Sequence, residues 1–212
     1  GIRDLVRSRG LGDVYKRQVL VKVLSAGVGY VDSLMVQGLY QVKPPLPYYP
    51  GSEFAGEVIE IGERVDNIKP GDQVMGMWRG AYADHMTVPS SECTVIPGSL
   101  PVDVAGGFYT NYSTALFGLR DCGNLNAGEN VLILGASGGV GSSAITVAKA
   151  MGANVIAGAS SREKLELASS VGADETILYS KEDWRTEKGK KSPILELSEL
   201  QSQIDKLENC LL

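Results

Sequence analysis

The sequence predicts an α/β chain in which a β-rich segment precedes the first half of a Rossmann-type parallel sheet. Three observations carry the prediction. Short apolar runs punctuated by glycine and proline fill residues 19–97, and from residue 130 strand-like and helix-like patterns alternate. Gly135-Ala136-Ser137-Gly138-Gly139-Val140-Gly141 lies between the first of those strands and the first of those helices.

Taken in order, residues 19–24, 57–61 and 73–75 read as strands, with turns at Pro50-Gly51 and Pro70-Gly71-Asp72. A further strand over residues 82–86 carries His85, the single histidine of the chain, which reads as structural. Residues 102–119 predict a helical stretch. Beyond it the pattern gives a strand at 130–134, a helix at 140–151, a strand at 154–157, a helix at 162–171 and a strand at 175–178. Alternating β and α elements predict parallel strands joined by right-handed crossovers.

Both ends depart from this pattern. Asp13-Val14-Tyr15-Lys16-Arg17-Gln18 is what a sequencing-library transposon end encodes in one frame, so residues 1–18 are expected to be adapter-derived. Residues 188–212 are expected to form a helical tail: Leu197, Leu200, Ile204, Leu207 and Leu211 follow a three-four spacing, and Ser198 with Gln201 is placed as a capping box. Two heptads are too few for a coiled coil.

Composition narrows the function classes. A net charge of −5 with scattered basic residues argues against a nucleic-acid partner. No apolar run approaches the roughly 18 to 20 residues of a membrane span. Cys93, Cys122 and Cys210 are too dispersed for a disulfide framework or a four-cysteine zinc site, and a cytoplasmic location is the expectation.

The glycine loop carries the chemistry. A strand-loop-helix context lets glycine backbone approach a dinucleotide pyrophosphate, whose charge the amides opening the helix attract. Gly135, Ser137, Gly138, Gly139, Val140 and Gly141 are the cofactor-binding candidates. An NAD site would place Asp or Glu at the tip of the second strand, about 20 residues further on. Gly158-Ala159-Ser160-Ser161-Arg162-Glu163-Lys164 stands there instead. Without an acid at the tip, Ser160, Ser161, Arg162 and Lys164 would favour a 2′-phosphate, so NADPH is the expected cofactor.

Ala26-Gly27-Val28-Gly29-Tyr30-Val31-Asp32, Pro50-Gly51-Ser52-Glu53-Phe54-Ala55-Gly56-Glu57-Val58 and Lys69-Pro70-Gly71-Asp72-Gln73-Val74 precede the glycine loop in that order. The set resembles the quinone oxidoreductase (zeta-crystallin-like) branch of the medium-chain dehydrogenase/reductase superfamily. The resemblance implies an incomplete GroES-like β domain over residues 19–100, then a helical connection and partial Rossmann domain over 101–187. Zinc members of that superfamily carry a cysteine near position 29 to 30 and a histidine where this chain has Ser52. The resemblance therefore implies a metal-free enzyme that passes hydride from NADPH to an acceptor already electrophilic, a quinone or an α,β-unsaturated carbonyl.

Residue by residue, Thr114 matches a family threonine near the nicotinamide, and Tyr179 a family tyrosine at the adenosine phosphate. Asp32 matches an acid in the first short helix, read as structural. Gly29 and Leu34 stand where many relatives have Asn and Tyr, which leaves Tyr30 and Tyr40 as candidate proton donors. The resemblance also implies a homodimeric parent and further strands beyond the third of the parallel sheet. On that basis the chain is expected to leave an unpaired sheet edge and to be inactive or weakly folded by itself. An enoyl-thioester reductase and a non-catalytic NADPH-binding scaffold are the alternatives.

Overall fold

The computed structural model describes residues 15–179, which fall into two compact units dividing between Thr110 and Asn111. The helical tail over 188–212 and most of the expected adapter segment lie outside the described residues.

The first unit contains β1 (Gln18–Ala26), α1 (Tyr30–Val36), β2 (Glu53–Ile61), β3 (Gln73–Met77), β4 (His85–Pro89), β5 (Cys93–Val95) and α2 (Val102–Ala105). Its strands form one antiparallel sheet in the order β4-β1-β2-β3-β5. Alternation along β2 sends successive side chains to opposite faces. Phe54 joins Val19, Val21, Val74 and Val88 on one face, while Ala55 joins Met75, Ile96 and Ala105 on the other. Residues 16–18 are tied in through the main chain, since Arg64 N donates to Lys16 O at 2.7 Å and Ser90 N to Arg17 O at 2.9 Å. Such bonds need only a peptide backbone, whatever side chains the segment carries.

In the second unit, β6 (Asn130–Leu134), α4 (Gly139–Ala150), β7 (Asn154–Ala159), α5 (Arg162–Ser170) and β8 (Glu175–Leu178) build a parallel sheet in the order β6-β7-β8. Ile133, Ile145 and Val155 pack with Ala136, Ala144, Ala148, Ala157 and Ala168. The alanines bring the helix close to the sheet. These three strands are the expected first half of a Rossmann sheet.

Two expectations need correction. The helical stretch over 102–119 is divided into three pieces: α2, then α3 (Tyr109–Leu116), then a π-helical turn (Phe117–Cys122). Gly106 and Gly107 interrupt it, and a Cβ at Gly106 would fall 2.2 Å from the Ser25 hydroxyl oxygen, so the chain is pressed against β1 there. The strand predicted at 82–86 begins only at His85, which pairs with Lys22. Tyr82 is instead drawn into a turn, its N–H donating to Pro50 O at 3.1 Å and its hydroxyl to Gly27 O at 3.1 Å.

Candidate functional site

The glycine loop leaves β6 at Gly135, whose φ of +63° is a left-handed conformation that glycine adopts without strain. Gly138 N donates to Gly135 O at 2.9 Å and closes the turn. Gly138 then caps α4 with extended backbone and no side-chain cap. The first bond inside the helix runs from Ser142 N to Gly138 O at 2.8 Å, so the N–H groups of Gly139, Val140 and Gly141 point out of the helix start. They form a ready anion site. The glycines serve different ends: a Cβ at Gly141 would lie 2.3 Å from Gly135 O, whereas one at Gly138 would come no closer than 3.4 Å to that oxygen. Gly141 lets the helix pack on the turn, and Gly138 keeps its outer surface open. Ser137 is half-buried and Val140 exposed on the same loop.

Parallel pairing brings the tip of β7 alongside, with Leu134 opposite Gly158. Ser161 caps α5 by accepting from Lys164 N at 3.4 Å, and Lys164 Nζ donates to the Ser160 hydroxyl at 3.3 Å. Ser160, Arg162 and Lys164 are exposed, and the first acid after the strand is Glu163, in the first turn of α5. Tyr179 follows β8 at the same sheet edge, its N–H donating to Ala159 O at 3.3 Å. A Cβ at Gly158 would lie 3.4 Å from the Tyr179 ring. Three of the predicted groups, the loop, the β7 tip and Tyr179, are therefore gathered at the carboxyl edge of one sheet, where open α/β sheets bind ligands.

Thr114 is exposed on α3. One turn earlier on that helix stands Asn111, which sequence reasoning missed, with its carboxamide against Gly139. Its place in Asn111-Tyr112-Ser113-Thr114, one turn ahead of a candidate, was the available signal.

Tyr30 and Tyr40 belong to the first unit, Tyr30 largely exposed as the first residue of α1 and Tyr40 half-buried. The buried polar groups of that unit gather elsewhere. Asp32 is only 6% exposed and accepts from Gly29 N–H at 2.9 Å and from the Ser52 hydroxyl at 2.7 Å. Burial, followed by the negative charge of Asp32, raises the pKa of both Tyr48 and Tyr82. These two tyrosines also escaped the sequence reading, because only the fold carries them to the Asp32 carboxylate. Buried Glu53 accepts from Thr110 N–H at 2.9 Å.

The chain matches the alcohol dehydrogenase GroES-like domain family over residues 15–115 and the zinc-binding dehydrogenase family over residues 139–193. The zinc in that second description does not fit the side chains present. Gly29 offers no donor, the Ser52 hydroxyl is committed to Asp32, and no group of three or more His, Cys, Asp or Glu residues that could hold a metal occurs among the described residues. A quinone oxidoreductase-like protein 2 homolog from Nematostella vectensis is 39% identical over 86% of this chain and 50% of its own length. The Escherichia coli quinone oxidoreductase solved in complex with NADPH is 30% identical with a TM-score of 0.72, covering 79% of this chain and 52% of that one. The enoyl reductase CurK is 27% identical with a TM-score of 0.69, over 76% of this chain and 51% of its own. The chain thus spans about half the length of the relatives it matches. It joins an alcohol dehydrogenase GroES-like domain to a zinc-binding dehydrogenase domain, in the expected order and on the expected fold, and is similar to quinone oxidoreductases over about half of their length.

Proposed function

We propose that this chain binds NADPH at the carboxyl edge of β6, β7 and β8, as part of a metal-independent reductase of quinones or α,β-unsaturated carbonyls. The observation that carries the reading is the pairing of an open helix start at Gly138–Gly141 with a β7 tip that has hydroxyls and cations in place of an acid. The amides of Gly139, Val140 and Gly141 hold the pyrophosphate, and the α4 dipole adds to their attraction. Arg162 and Lys164 supply positive charge for the 2′-phosphate, with Ser160 and Ser161 as hydrogen-bonding neighbours. Tyr179 borders the adenosine side, and Thr114 serves the nicotinamide side.

When bound, NADPH supplies the hydride. The residues at the zinc-ligand positions, Gly29 and Ser52, cannot polarise a plain carbonyl as a metal would, which supports an acceptor that spreads charge over its own conjugated system. Tyr30 and Tyr40 remain the candidate proton donors. The likeness to CurK supports an enoyl thioester as the second acceptor class.

Fluorescence titration of the purified chain tests the cofactor. NADPH is expected to bind more tightly than NADH, and Arg162→Ala with Lys164→Ala to weaken NADPH by roughly tenfold or more, the scale of losing charge-assisted bonds. NADH binding should move less than twofold. Equal affinity of the unmodified chain for the two nucleotides would refute the NADPH assignment. For the metal, the purified chain should contain far less than one zinc per molecule, and chelator dialysis should leave NADPH affinity unchanged; a stoichiometric zinc would overturn that part.

A further inference from the structure

The loop glycines exclude side chains for unlike reasons, and one reason lies outside the loop. Gly141 is constrained by the loop's own Gly135 carbonyl, and Gly138 is nearly unconstrained. At Gly139 the obstacle is a side chain from α3: a Cβ there would lie 2.9 Å from Oδ1, 3.0 Å from Nδ2 and 3.1 Å from Cγ of Asn111. The whole carboxamide rests against the first residue of α4. Gly139 is itself exposed and Asn111 half-buried, so the contact stands at the entrance rather than in the core below it.

The packed apolar contacts of the unit are made by Ala115, Leu119, Ala144 and Ile145, with Asn111 outside that cluster. An amide placed beside outward-pointing N–H groups adds a neutral donor where an anion is expected, without the charge that would make binding depend on one counter-ion.

We propose that Asn111 is a positioning residue for the dinucleotide pyrophosphate: its carboxamide, set against Gly139, fixes the phosphate at the start of α4. The inference rests on the NADPH reading above and adds a residue from α3 to that site. Since pyrophosphate is common to both nucleotides, Asn111 must act on NADPH and NADH alike, which separates it from Arg162 and Lys164.

The test uses the full chain with Asn111→Ala and the isosteric Asn111→Asp, titrated with NADPH and with NADH beside thermal melts. Asn111→Ala is expected to weaken both nucleotides by about tenfold, the loss of one hydrogen bond to a charged group, with Tm within about 1 °C of the parent, less than the roughly 2–4 °C that a 1 kcal/mol packing loss would produce in a chain of this length. Asn111→Asp keeps the shape and adds a negative charge, so it should weaken both by more, with a deficit that shrinks between about 50 and 500 mM salt. Failure of the unmodified chain to bind either nucleotide would remove both this inference and the reading beneath it. If the chain binds NADPH but Asn111→Ala stays within twofold, loses NADPH alone, or loses affinity only together with Tm, the positioning role is overturned and the NADPH reading stands.

Discussion

At the residue scale, what distinguishes the site is how unequal the cost of one added methyl is along seven residues. Alanine at Gly141 would drive its Cβ to 2.3 Å from a main-chain oxygen and 2.9 Å from the Ala136 Cα, neither of which can swing aside. Gly141→Ala is therefore expected to destabilise the chain by about 1–3 kcal/mol, the usual cost of overpacking, read from denaturant midpoints; an unchanged midpoint would refute the packing role. At Gly138 the φ of −76° suits any residue and the nearest atom is 3.4 Å away. Gly138→Ala should keep its midpoint but bind NADPH more weakly, because the methyl occupies the surface a pyrophosphate must approach. The motif announced the loop in the sequence, yet not which glycine did what. Spacing names the residues, whereas the separate roles depend on where the Gly135 carbonyl and the Asn111 carboxamide end up in space.

At the scale of elements, α4, β7 and β8 are joined by one ionic clip. Lys149, in the last turn of α4, reaches both oxygens of Asp174 at 2.8 Å and also donates to Ala153 O at 3.2 Å, while Asp174 accepts from Val155 N–H at 2.7 Å. The hydrogen bond from Lys149 and then that from Val155 hold the Asp174 carboxyl below the usual carboxylate range. A carboxyl whose folded pKa is depressed stabilises the fold above its unfolded pKa and loses that contribution as pH falls through the folded value. The parent should thus be more stable than Asp174→Asn at neutral pH, and the gap should close on acidification through the acidic carboxylate range. A gap independent of pH would show that the clip acts by shape and not by charge. Neither partner stood out in the sequence, since Lys149 and Asp174 are 25 residues apart and only the crossover from α4 to β8 brings them together. The same applies to α2 and α3, where helical composition ran unbroken through residues 102–119 and the close approach of Gly106 to Ser25 decided the break.

At the scale of the whole molecule, each unit carries its own core, one around Phe54 and one around Ile145. Cys93 lies in the first, its thiol pushed up to about 12 chiefly by burial, with the Glu92 charge adding to it. Thiolate is the reactive form, so Cys93 should resist thiol reagents at pH 8 in the folded chain while half-buried Cys122 reacts sooner. Phe54→Ala empties a fully buried site and should cost about 3–5 kcal/mol, accelerating Cys93 labelling, as peptide mass spectrometry would show. Labelling of Cys93 at the Cys122 rate in the unmodified chain would contradict its burial. The sequence by itself determined the class of each unit, the alternation of strands and helices in the second, the place of the glycine loop and the missing acid after β7, because these depend on periodicity and on neighbours a few residues apart. Only the tertiary structure decided that Asn111 meets Gly139, that Ser52, Tyr48 and Tyr82 gather on Asp32, and that the helix after residue 102 breaks. Those outcomes turn on contacts between distant segments, and local patterns carry no information about which distant atoms will compete for the same space.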